Sequence, residues 1–190
     1  MKIKYTLVYS LFLFFLFGCA TYAPQYAEVE GQSTLSRKRI PATSFYLIGD
    51  AGGAKANGST DALIALKKVI DTAKTQNDYT IFLGDNIYPE GLPVEGGKGR
   101  EAAEHKLQAQ VDAVSGFKGE VVFIPGNHDW YSQGLNGLKR QEKFIEDALN
   151  DKEAFQPENG CPIESISISD EIELIIIDTQ WYLENWDRNP

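Results

Sequence analysis

Histidine and cysteine are scarce in these 190 residues, with two of each: His105 and His128, Cys19 and Cys161. Two cysteines exclude a disulfide framework. Two histidines mean that any metal site must lean on oxygen ligands or stay unfinished within this chain. Positive charge is also short, 18 basic against 27 acidic residues for a net charge of -9. Such a chain repels a phosphate backbone at long range, so no nucleic-acid partner is expected. Heptads and internal repeats are missing, and the 17 glycines follow no period, which excludes coiled-coil and collagen-like chains. What is present is 43% apolar and 24% charged residues, close to the roughly 45–50% and 25% of globular proteins. The length suits one domain with a sizeable core.

Lys2 and Lys4 precede an apolar run from Tyr5 to Phe17. That run is shorter than the roughly 20 residues of a membrane-spanning helix, and it reads as the apolar segment of a signal peptide. It ends in Leu16-Phe17-Gly18-Cys19-Ala20, which resembles the lipobox of bacterial lipoproteins, although Phe17 is bulkier than that pattern usually carries. The resemblance implies cleavage before Cys19, acylation of Cys19, and an exported protein held on a membrane, with the outer membrane favoured. The other reading is an ordinary secretory signal with an incidental cysteine. Residues 1–18 are thus expected to be a signal, 19–41 a polar tether, and 42–190 the folded domain. Cys161 would then be unpaired in an oxidising compartment, as a buried thiol or one whose partner lies outside this chain.

Within 42–190 the pattern alternates strand and helix. Strands are expected at Ser44–Ile48, Tyr79–Leu83 and Glu120–Ile124. Helices are expected after the capping residues Ser59-Thr60-Asp61, over Glu101–Val114 and over Leu138–Leu149. The isoleucine-rich segments around Ile163–Ile168 and Ile172–Ile177 read as a hairpin or two neighbouring strands. The class is α/β, with polar clusters just past the C-terminal ends of strands, where open sheets bind ligands.

Those clusters carry the chemistry. The first strand delivers Gly49-Asp50, the second Gly84-Asp85-Asn86-Ile87-Tyr88, and the third Gly126-Asn127-His128-Asp129. Taken singly, the first two read as turns with a helix-capping carboxylate and the third as a hydrogen-bonded loop. Together they set two carboxylates, a phenol, an amide and an imidazole along one sheet edge. Carboxylates so placed are costly together unless cations neutralise them, so the set is an inventory of metal ligands.

In order and spacing these segments resemble the signatures GDxG, GDNxY and GNHD of the calcineurin-like metallophosphoesterases. Within that family they are most similar to the small, tartrate-resistant type of purple acid phosphatase. The broader family usually has histidine where this chain has Gly52, and the purple acid phosphatases use the tyrosine of the second signature instead, here Tyr88. The resemblance spans about residues 42–181. It implies the N-terminal part of a four-layer αββα sandwich and two metal ions, iron, zinc or manganese. Asp50 and Tyr88 would bind the first ion, Asp85 would bridge, and Asn127 would bind the second. His128 would sit near the leaving group, with Asp129 orienting its ring. The implied activity is that of an acid phosphatase-like phosphomonoesterase acting on a phosphate-ester small molecule or a phosphoprotein.

The family completes its metal shells with later histidines, and no histidine follows His128. The chain is therefore expected to be part of a longer protein, and by itself to bind metal weakly and turn over little. Two other functions stay open: a phosphodiesterase or nucleotidase of the same superfamily, and a non-catalytic, membrane-anchored binding module on a degenerate phosphatase fold. Several residues carry less. His105 is expected on a solvent face. Gly91–Lys98 lacks the spacing of a phosphate-binding loop. Trp130 and Tyr131 could wall the pocket or simply pack. Trp181, Tyr182 and Trp186 are expected to cover apolar surface near the sheet end, and the sequon Asn57-Gly58-Ser59 reads as accidental.

Overall fold

The computed structural model describes residues 41–55, 58–73 and 76–184. The signal segment, Cys19, nearly all of the tether, Asn57 and Trp186 lie outside the described residues.

Three short strands, β1 (Phe45–Ile48), β2 (Tyr79–Phe82) and β3 (Glu120–Phe123), form a parallel sheet in the order β1-β2-β3. Phe45 pairs with Tyr79 and Tyr79 with Glu120, so all three strands end level. Parallel neighbours need crossovers, and two helices supply them. Between β1 and β2 lies α1 (Asp61–Ile70), whose N-cap Thr60 hydroxyl accepts the Leu63 N–H at 3.2 Å. Its buried stripe is Leu63, Leu66 and Ile70, at helical spacing. Between β2 and β3 lies α2 (Arg100–Ala113), which buries Leu107 and several alanines. After β3 come a single turn, α3 (Asn127–Trp130), and the long helix α4 (Leu135–Leu149).

Helix α4 begins before the expected Leu138. Gly137 reads as a helix breaker in sequence, but a Cβ there would lie 2.1 Å from the Ser132 carbonyl oxygen. The glycine permits a close backbone approach inside the helix, and the turn before Leu138 forms. Beyond α4 the chain returns beside β3: the Phe123 N–H donates to the Ala154 carbonyl at 2.7 Å, and the Gln156 N–H to the Phe123 carbonyl at 2.8 Å. That contact covers part of the free edge of β3.

The isoleucine-rich tail forms an antiparallel hairpin, β4 (Ile163–Ser169) and β5 (Ile172–Ile177), which is a sheet of its own. Alternation along the parallel strands divides the core between two faces. Phe82 and Phe123, stacked with ring centroids 4.1 Å apart, face the helices with Leu63, Leu107 and Ile145. Ile81 and Val122 face the hairpin and meet Ile176, Ile166 and Leu174. Helices, parallel sheet and hairpin are three successive layers of the expected αββα arrangement. Each buried Phe, Leu or Ile contributes about 1.5–3 kcal/mol. The last short helix, α5 (Thr179–Leu183), follows β5 directly.

Candidate functional site

The C-terminal ends of the three parallel strands converge on one cavity of about 570 Å³, whose walls include Asp50, Asp85, Asn127, Tyr131, Asp178 and Gln180. Asp50 and Asp85 both leave their strands with a positive φ, 55° and 54°, a conformation that costs a non-glycine residue about 1 kcal/mol or more. The loops hold them there. The Asp50 N–H donates to the Gly84 carbonyl at 3.2 Å, and the Gly52 N–H to the Asp85 carbonyl at 3.0 Å. A Cβ on Gly52 would stand 2.5 Å from the Asn86 carbonyl carbon. No side chain fits at 52 without moving the backbone, so this site has no room for a histidine at that position.

Tyr88 closes the space between the two carboxylates. Its hydroxyl lies against Asp50 Oδ1 in a short hydrogen bond and 2.7 Å from Asp85 Oδ2. The bonds to Asp50 and then Asp85 push the phenol pKa well above its ordinary value of 10. The other oxygen of Asp85 accepts the His128 N–H at 3.0 Å, which ties the loop after β2 to the loop after β3. Asn127 donates from Nδ2 to the Tyr131 hydroxyl at 2.6 Å.

His128 lies between two aromatic rings, with centroids 4.5 Å from Tyr88 and 4.9 Å from Tyr131. Its Nδ1 is 2.6 Å from the Pro89 carbonyl oxygen. A carbonyl only accepts, so Nδ1 carries a proton, and in the neutral ring Nε2 is the acceptor. The expected partner of that ring is corrected here. Asp129 is fully buried and points to loop backbone and the Asn86 side-chain amide instead. It accepts from Gly126 N at 2.7 Å, Asn86 N at 3.2 Å and Ile87 N at 3.1 Å. Burial pushes the Asp129 carboxyl up to about 6, against the N–H groups of Gly126 and Asn86, which favour its charged form. It clamps the two loops, and the Pro89 carbonyl orients His128.

Sequence reasoning gave no part to Asn86. It is buried, donates from Nδ2 to the Ile124 carbonyl at 2.8 Å, and accepts at its backbone oxygen from Gln110 Nε2 at 2.8 Å. Asp178 was passed over as well. It caps α5 and accepts the Trp130 indole N–H at 2.9 Å, and burial raises its pKa. A strand end followed by Asp-Thr was the available signal. Trp130 is buried packing and Tyr131 is a half-exposed wall of the cavity. Trp181 packs partly buried against the core, with Tyr182 edge-on to its ring at 5.0 Å.

Two other expectations change. His105 is half-buried, its Nε2 lying 3.0 Å from the Gly58 carbonyl, and it pins the loop before α1 onto α2. Cys161 is exposed, which removes the buried-thiol reading. The loop before α2 is held by arginines through its carbonyls, Arg100 to Pro93 at 2.6 Å and Arg140 to Leu92 at 2.9 Å.

The model of the calcineurin-like phosphoesterase family matches residues 43–187. The chain belongs to the calcineurin-like phosphoesterases. No curated protein and no solved structure gives a significant match. Membership supports metal-dependent hydrolysis of phosphoesters in general. Among the described residues no group of three or more His, Cys, Asp or Glu side chains could hold a metal ion. What the calcineurin-like site offers is two carboxylates and an amide on one cavity, with the Tyr88 phenol hydrogen-bonded to both carboxylates. This all-oxygen set fits hard cations such as ferric iron or manganese. The Tyr88 hydroxyl is within hydrogen-bond reach of both carboxylates, Asp50 and Asp85.

Proposed function

We propose that this calcineurin-like domain is a phosphomonoesterase of the purple acid phosphatase type, with a two-metal site, exported and held on a membrane through an acylated Cys19. The observation that carries the reading is the Tyr88 hydroxyl set between Asp50 and Asp85. It stands where the broader family's histidine is replaced by Gly52, and Gly52 has no room for a side chain.

In this reading Asp50 and Tyr88 would hold one cation, Asp85 would be shared, and Asn127 would hold the other through Oδ1; such a pair would supply an activated water near neutral pH and offset the charge of the phosphoryl oxygens. The chain's own groups do the rest. His128, fixed by the Pro89 carbonyl, presents Nε2; in the imidazolium form that atom donates a proton to the departing alkoxide. Tyr88 and Tyr131 restrain the ring from both sides. Asp129 keeps the loops bearing Asp85 and Asn127 in register.

Ferric iron added in excess to the purified chain tests the first site. A visible tyrosinate-to-iron absorption band is expected, and Tyr88→Phe should abolish it while Tyr131→Phe keeps it. A band that survives Tyr88→Phe overturns the assignment.

A further inference from the structure

Tyr131 contacts two of the site's side chains, Asn127 and His128. Its hydroxyl accepts from Asn127 Nδ2 at 2.6 Å, its ring lies 4.9 Å from His128, and it lines the cavity with Asp50 and Asp85. An asparagine amide is planar, with a donor end and an acceptor end. Fixing Nδ2 on the phenol oxygen leaves Oδ1 as the end free to meet a cation. The reverse orientation, with the Tyr131 hydroxyl donating to Oδ1, would spend on Tyr131 the one atom of Asn127 able to bind metal. Asn127 and Tyr131 are four residues apart, spanning α3 and its C-cap, so the pair meets at helical spacing.

We infer that Tyr131 is a positioning residue that sets the orientation of the Asn127 amide and so presents Oδ1 to the second cation. The inference rests on the metal reading proposed above. Partners that orient a metal ligand typically change affinity by about 10–100-fold when removed. Tyr131→Phe is the informative variant, because it keeps the ring beside His128 and deletes only the hydroxyl.

The test combines two measurements on the full chain. In ¹⁵N-labelled, metal-free protein, the Asn127 side-chain NH2 protons should show nuclear Overhauser contacts to the Tyr131 ring, lost or weakened in Tyr131→Phe. Mn²⁺ affinity, read from the electron paramagnetic resonance of the free ion, should fall about tenfold in Tyr131→Phe. It should fall less than about twofold when the same change is made in an Asn127→Asp background, because both carboxylate oxygens accept and no orientation needs to be chosen. A purely structural role predicts equal losses in both backgrounds. Equal losses, no loss in the asparagine background, or NH2 protons remote from the Tyr131 ring would each overturn the inference. If the parent chain fails to bind Mn²⁺ at all while the NH2 contacts are present, the metal reading itself fails and takes this inference with it.

Discussion

The buried carboxylate of Asp129 has three backbone N–H groups, from Gly126, Asn86 and Ile87, as partners. Asp129→Ala would strand those donors and should cost about 2–4 kcal/mol in chemical unfolding, since buried unpaired groups cost about 1–3 kcal/mol. Its pKa near 6 in the fold stands above the ordinary 3.8. The stabilising contribution of Asp129 is therefore complete below about pH 3.8 and is lost as pH rises through about 6. Asp129→Asn keeps the shape and removes the titration. In metal-free protein its stability relative to the parent should improve by up to about 3 kcal/mol between about pH 4 and pH 7.5. A urea-midpoint difference that stays constant across that range would contradict the shift. Gly52→Ala is a second test at this scale. Its new Cβ meets the Asn86 backbone, and a loss of about 1–3 kcal/mol is expected in the same assay.

At the scale of elements, the strands and their terminal clusters were legible because a short apolar run followed by Gly-Asp is a local signal. Alternation then assigns Ile81 and Val122 to one face and Phe82 and Phe123 to the other. Asp50, Asp85, Tyr88 and Asn127 could be singled out because each follows a strand. The partners of Asp129 could not, because two of its backbone donors, Asn86 and Ile87, are about forty residues away and their approach depends on how the β2 and β3 loops pack. The Pro89 carbonyl beside His128 was hidden for the same reason. The early start of α4 was hidden because Gly137 reads as a breaker until the Ser132 carbonyl is seen against it. Gly137→Ala would strengthen an ordinary helix by about 1 kcal/mol. Here it should lower the melting temperature, because the new Cβ would stand 2.1 Å from Ser132 O. Thr60→Ala removes the α1 cap and should cost about 1 kcal/mol.

At the scale of the molecule, the helices and the two sheets place the side-chain oxygens of Asp50, Asp85 and Asn127, from three separate loops, on one cavity. The family match over 43–187 supports phosphoester hydrolysis, and the position of Tyr88 is what narrows the reading to one type of site. The proposed export and anchoring belong to this scale too. Cys19→Ala should move the protein from the membrane to the soluble fraction when cells are fractionated, and a mutant that stays membrane-bound would contradict acylation at Cys19. The two-metal arrangement is tested most directly by anomalous diffraction from a crystal soaked in Mn²⁺ or Fe³⁺. One peak is predicted between Asp50, Asp85 and Tyr88, and a second between Asp85 and Asn127. Metal bound elsewhere, or an undisturbed hydrogen bond from Tyr88 to Asp50 and Asp85 in the soaked crystal, would contradict the account.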